Sequence, residues 1–100
     1  MSTCPMLTPE MLPNRVPVFV RENIEDLKSA RKIADQKAAE LAHDPMLFSW
    51  YEAETGRFSP DVECCDENKP IWVVYAESRG GNLTIDINNQ SYVFIYANFD

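Results

Sequence analysis

Residues 71–97 read IWVVYAESRGGNLTIDINNQSYVFIYA, and the reading of this stretch decides the fold. Three apolar runs stand out: residues 71–77 (IWVVYAE), 83–87 (LTIDI) and 91–97 (SYVFIYA). Arg79-Gly80-Gly81-Asn82 and Asn88-Asn89-Gln90 separate them, and both breaks offer residues that tolerate the positive φ of hairpin turns. The spacing predicts a three-stranded meander. A strand covered on one face alternates apolar with polar. The middle run does so: Leu83, Ile85 and Ile87 point one way, Thr84, Asp86 and Asn88 the other. The outer runs are apolar on both faces. Trp72, Val74 and Ala76 oppose Ile71, Val73 and Tyr75, while Val93, Ile95 and Ala97 oppose Tyr92, Phe94 and Tyr96. Both faces of the sheet therefore need covering, and a twofold mate is expected to supply what one helix cannot.

That helix lies upstream. Asn23 is expected to cap it, with Glu25 and Asp26 in a first turn where negative charge favours the dipole. It is expected to run to about residue 43, because Pro45 disfavours helical geometry in the residue before it. Ile24, Leu27, Ala30, Ala34, Ala38 and Leu41 form one stripe. An alanine-rich stripe permits close approach to a sheet but buries little area, against about 1.5–3 kcal/mol for each larger side chain. Residues 16–20 (VPVFV) form an edge-strand candidate, since Pro17 cannot donate to a ladder. Residues 46–51 (MLFSWY) are a second. Residues 1–15, with Pro5, Pro9 and Pro13, read as an extended arm, ordered only by docking. The fold class is α+β: one long helix on a small antiparallel sheet, built on the C-terminal meander and completed by dimerisation. Residues 16–100 form a single domain.

The 100 residues suffice for one domain. The net charge is −7, and it is uneven. Residues 1–50 carry seven acids and six bases, net −1; residues 51–100 carry nine acids and three bases, net −6. Such a surface repels phosphate backbones, so neither nucleic acid nor an anionic membrane is an expected partner. No apolar run approaches the roughly 20 residues that span a bilayer. The N-terminus lacks a secretory pattern. Three cysteines, two of them adjacent, are not a disulfide framework, and the chain reads as a reduced, cytoplasmic protein.

Residues 52–70 form a long acidic loop with six acids against Arg57 and Lys69. Long loops in small domains are functional or mobile. Within it, Cys64 and Cys65 could bind a soft metal or sense oxidants, with Cys4 or His43 completing the set. An adjacent pair is a poor chelate for one tetrahedral ion, and Glu63, Asp66 and Glu67 disfavour a thiolate, so incidental thiols are the plainer account. His43, beside Asp44, suits a helix C-terminus without any catalytic role. The acids Glu52, Glu54, Asp61, Glu63, Asp66 and Glu67 could hold a hard cation, but the ligand order of an EF-hand is absent. Arg79-Gly80-Gly81 could make a small anion nest, although a tight turn explains it as well. Phe48, Trp50, Tyr51, Phe58, Trp72 and Tyr75 can fill a core or wall a pocket. Trp50, Tyr51 and Glu52, just before the loop, with Arg79, are the expected ligand-binding residues.

No residue pair fixes a reaction, no cofactor is implied, and the expected function is non-enzymatic. The chain reads as a dimeric binding or regulatory module that holds a small ligand or a protein partner. The alternatives are a thiol-based redox or metal protein centred on Cys64-Cys65, and an acidic mimic of nucleic acid.

Overall fold

A computed structural model describes residues 9–21, 24, 26–59 and 71–97. A five-stranded mixed sheet divides the core into two halves. Its strands are β1 (Arg15–Val18), β2 (Met46–Glu52), β3 (Arg57–Ser59), β4 (Leu83–Ile87) and β5 (Tyr92–Ala97), in the spatial order β1-β4-β5-β2-β3. Two helices, α1 (Leu27–Leu41) and α2 (Ile71–Ser78), pack on opposite faces. The protein is thus a small α+β domain.

The hairpin β4–β5 forms as the sequence predicts, closed by Asn88, Asn89 and Gln90 in the left-handed region at φ 51°, 54° and 65°. β5 is buried along its whole length, which explains its lack of alternation. On one face Tyr92, Phe94 and Tyr96 join Leu83, Ile85 and Ile87 beneath the fully buried Ala30, Ala34 and Ala38 of α1. On the other, Val93 and Ile95 pack with Leu12 and with Trp72, Val73 and Ala76 of α2. The Tyr51 ring stacks on Trp72 with centroids 5.2 Å apart and planes 3° from parallel. Stacked aromatic pairs of this kind add about 0.5–1.5 kcal/mol beyond their area.

The expected first strand of the meander is therefore a helix. Trp72, Val73 and Ala76 of this run are buried against β2, β5 and the N-terminal segment, while Val74 and Tyr75 are half-buried. The break after it is a helix cap rather than a hairpin turn. Gly81 N donates to Ala76 O (2.7 Å) and Gly80 N to Glu77 O (3.1 Å), with Gly80 at φ 91°. This pair of bonds around a left-handed glycine is the Schellman arrangement. With α2 covering the second face, the sheet no longer requires a mate there, and the premise for dimerisation is removed.

Other expectations shift with it. The sheet is mixed rather than antiparallel, because β1 pairs parallel with β4 (Val16 opposite Ile85, Val18 opposite Ile87). β1 is an edge strand, as Pro17 requires, whereas β2 lies inside the sheet between β5 and β3. Thr84 and Asp86 are not wet. They sit at 0% and 1% exposure beneath the N-terminal segment. Thr84 Oγ1 donates to Pro13 O (2.8 Å), and Arg15 Nε donates to Asp86 Oδ2 (2.6 Å). The described part of the expected arm is thus docked. The cap of α1 is Asp26, whose Oδ1 accepts from Ser29 N at 2.9 Å, so the helix is 15 residues long and begins later than expected. Asn23 lies outside the described residues. At the other end of α1, Tyr96 Oη donates to Asp35 Oδ1 (2.6 Å) and ties the helix to β5.

Two predictions follow from this packing. A Cβ on Gly81 would meet Ala76 O at 2.7 Å. Gly81→Ala is expected to cost about 1–3 kcal/mol in urea unfolding, and an unchanged midpoint would contradict the cap. Burial, then the bond to Asp35, then its charge raise the Tyr96 phenol above its ordinary value. An unfolded tyrosine ionises near about pH 10. The contribution is whole below that pH and is lost as pH climbs above it toward the folded value. The fall in stability from about pH 9 to about pH 11 is therefore expected to be steeper in the wild type than in Tyr96→Phe. Equal slopes would remove the Asp35–Tyr96 tie.

Candidate functional site

Three strands, β1, β4 and β2, run in one direction, with β5 and β3 opposed. Their carboxyl ends meet at one edge of the fold. The last row of the sheet there is Val18, Ile87, Tyr92, Glu52 and Arg57, each opposite the next.

The loops beyond that row are held by specific bonds. Asn88 N donates to Val18 O (2.9 Å), and Asn88 Oδ1 accepts from Val20 N (2.8 Å). Asp86 Oδ1 accepts from Gln90 N (2.6 Å), and Asp86 Oδ2 accepts from Gln90 Nε2. This fixes the left-handed turn. Ala53 N donates to Ser91 O (3.0 Å), tying the β2–β3 turn to the start of β5. Between these loops lies a cavity of about 640 Å³, walled by Val20, Arg21, Ile24, Glu54, Ser91 and Tyr92. Small-molecule sites occupy roughly 300–1,000 Å³.

Tyr92 is the residue of note. It is 6% exposed, yet its hydroxyl makes no hydrogen bond among the described residues. Burial raises its pKa, and the charges of Glu52, Glu54 and Asp26 raise it further, so the phenol stays protonated at neutral pH. It is a donor without an acceptor. Of the three carboxylates, Glu52 accepts from Thr55 Oγ1 (2.6 Å) and lies 3.8 Å from Arg57 Nε, and Asp26 is engaged as the helix cap. Among the described residues, neither Glu54 nor Arg21 has an ion-pair partner.

The expected ligand residues divide. Trp50 and Glu52 share a second, smaller cleft of about 410 Å³ with Phe94, Lys28 and Arg31 near the start of α1. Most of its charges are already engaged, Arg31 with Asp35 at 3.6 Å and Glu52 as described. Tyr51 points to the opposite face, under Trp72. Arg79 sits at the end of α2 with its guanidinium 3.9 Å over the Tyr75 ring, and it lines neither cleft. His43 is exposed in the turn after α1. Cys4, Cys64 and Cys65 lie outside the described residues, as do the loop acids Asp61, Glu63, Asp66 and Glu67. Among the described residues no group of three or more His, Cys, Asp or Glu side chains is placed to hold a metal ion. No described helix is long and apolar enough to cross a membrane. Tyr92 and Arg21 were not legible as site residues. Tyr92 reads as an ordinary strand residue until the strand order puts it in the end row, and Arg21 follows a weak edge strand.

The geometry defines a small α+β domain with a polar cavity at the carboxyl ends of its co-directional strands. The chain belongs to the family described as a domain of unknown function (DUF5619), whose model matches residues 13–96. It is similar to an uncharacterized protein of Archaeoglobus fulgidus, 40% identical over 68 residues, which cover 68% of this chain and 71% of that protein. It is also similar to the crystal structure of AF1514 from Archeoglobus fulgidus, described as a novel non-family-model protein. The identity is 29%, the match covers 89% of this chain and 98% of that one, and the TM-score is 0.75.

Proposed function

We propose that the protein is a non-enzymatic binding module that holds a small ligand in the cavity between Val20, Glu54 and Tyr92. The observation that carries this reading is Tyr92, a buried residue that lines the cavity and whose hydroxyl makes no hydrogen bond to a described residue. A hydroxyl with no protein acceptor beside the cavity is available to donate to a ligand, and such a bond contributes about 0.5–1.5 kcal/mol. The cleft beside Trp50 gives a weaker inducement, because its buried carboxylate is already satisfied. Binding is favoured over turnover by the state of Ser91, the cavity's aliphatic hydroxyl. It donates to Asn88 O at 2.8 Å rather than to a base.

Titration of the isotope-labelled chain with a panel of nucleosides, dicarboxylates and amino acids, followed by amide NMR, tests the reading. A ligand is expected to shift the amides of Val20, Ala53, Asn88 and Ser91 saturably. Tyr92→Phe is expected to weaken it about fivefold, the worth of one hydrogen bond of about 1 kcal/mol. Shifts elsewhere only, or an affinity indifferent to Tyr92→Phe, would remove the cavity as the site.

A further inference from the structure

Resting on the cavity reading above, we infer that the ligand is a small zwitterion of the α-amino acid class, its carboxylate taken by Arg21 and its ammonium by Glu54. The cavity walls carry one guanidinium and one carboxylate, and neither has an ion-pair partner among the described residues. A pair of opposite charges on one cavity matches a ligand that carries both signs, and a ligand that carries a single sign uses only one of them. The Tyr92 hydroxyl adds a neutral donor suited to a carboxylate oxygen, and a charged acceptor makes such a bond roughly twice as strong as a neutral one. Ser91 Oγ, its proton given to Asn88 O, retains a lone pair for an ammonium proton. Val20 and Ile24 supply an apolar wall for a side chain. The surroundings agree in sign. Glu52 and Asp26 act on Tyr92 through space alongside Glu54, so the Glu54 side of the cavity is the negative one, while Arg21 is the one cation among the described lining residues.

The measurement is amide NMR and calorimetric titration of the full chain with each of the twenty amino acids. Any that binds is then tested as its amide, which keeps only the ammonium, and as its N-acetyl derivative, which keeps only the carboxylate. At least one amino acid is expected to bind in the cavity about tenfold or more tightly than either single-charge derivative. Glu54→Gln is expected to weaken the amino acid about tenfold while sparing the N-acetyl derivative, and Arg21→Gln to do the converse. Both residues are exposed, and an unchanged melting temperature confirms that each variant folds. Equal binding of a single-charge derivative would overturn the zwitterion assignment, as would cavity shifts from a nucleoside or dicarboxylate but from no amino acid. In either case the cavity reading stands. If no compound shifts the cavity amides, both fall.

Discussion

The fold depends on β5 being dry on both faces. Phe94 and Tyr96 on one side, and Val93 and Ile95 on the other, are each withdrawn from water almost completely. Fully burying side chains of this kind contributes about 1.5–3 kcal/mol each, and only if both sides are covered. The chain meets that demand with two unlike helices. α1 brings a stripe of alanines, which lets it lie close over the larger aromatics of the sheet. α2 brings bulk and buries Trp72, Val73 and Ala76 with β5 and Leu12. The two solutions are complementary. Where the sheet offers large rings, the helix offers small residues, and where it offers Val93 and Ile95, the helix offers Trp72 and Val73.

A central strand buried on both faces leaves its ends as the only place where it can meet solvent or a ligand. At its N-terminal end the polar groups Asp86, Asn88 and Gln90 hold a left-handed turn that the backbone adopts reluctantly. Asp86 also anchors β1 through Arg15, so one buried carboxylate fixes the parallel edge strand and the turn together. The cavity beside Tyr92 is thus framed by bonds that already exist without a ligand. This is the condition for a site that loses little ordering entropy on binding.

Much of this was legible in the sequence. The β4–β5 hairpin, the alanine stripe of α1 and the edge character of β1 follow from turn chemistry, helical spacing and Pro17. The need to cover both faces of β5 was read from its lack of alternation. Residues 71–78 were misread for a physical reason. Ile, Trp, Val and Tyr favour strands, and a short apolar run of this length has no periodicity to arbitrate between a buried strand and a buried helix. The available signal was punctuation, with proline at 70 before the run and Gly80-Gly81 after it. The same two glycines were assigned to a hairpin because a Schellman cap and a hairpin turn ask for the same positive φ. The pairing of β1 with β4 comes from residues about 70 apart, so the end row that creates the site could not be read from local pattern. Glu52 stands in the end row opposite Tyr92, whereas Tyr51, one residue away, faces the opposite side, as strand alternation requires.

The most direct test of the account is the backbone chemical shift of residues 71–78 in the intact protein, read together with contacts from the Trp72 indole. The account predicts an unbroken helical run of carbon shifts ending at Gly80, with the Trp72 ring close to Tyr51. Strand-like shifts over Ile71–Ser78, with cross-strand contacts to β4, would restore the three-stranded meander and contradict the two-helix cover on which the cavity depends.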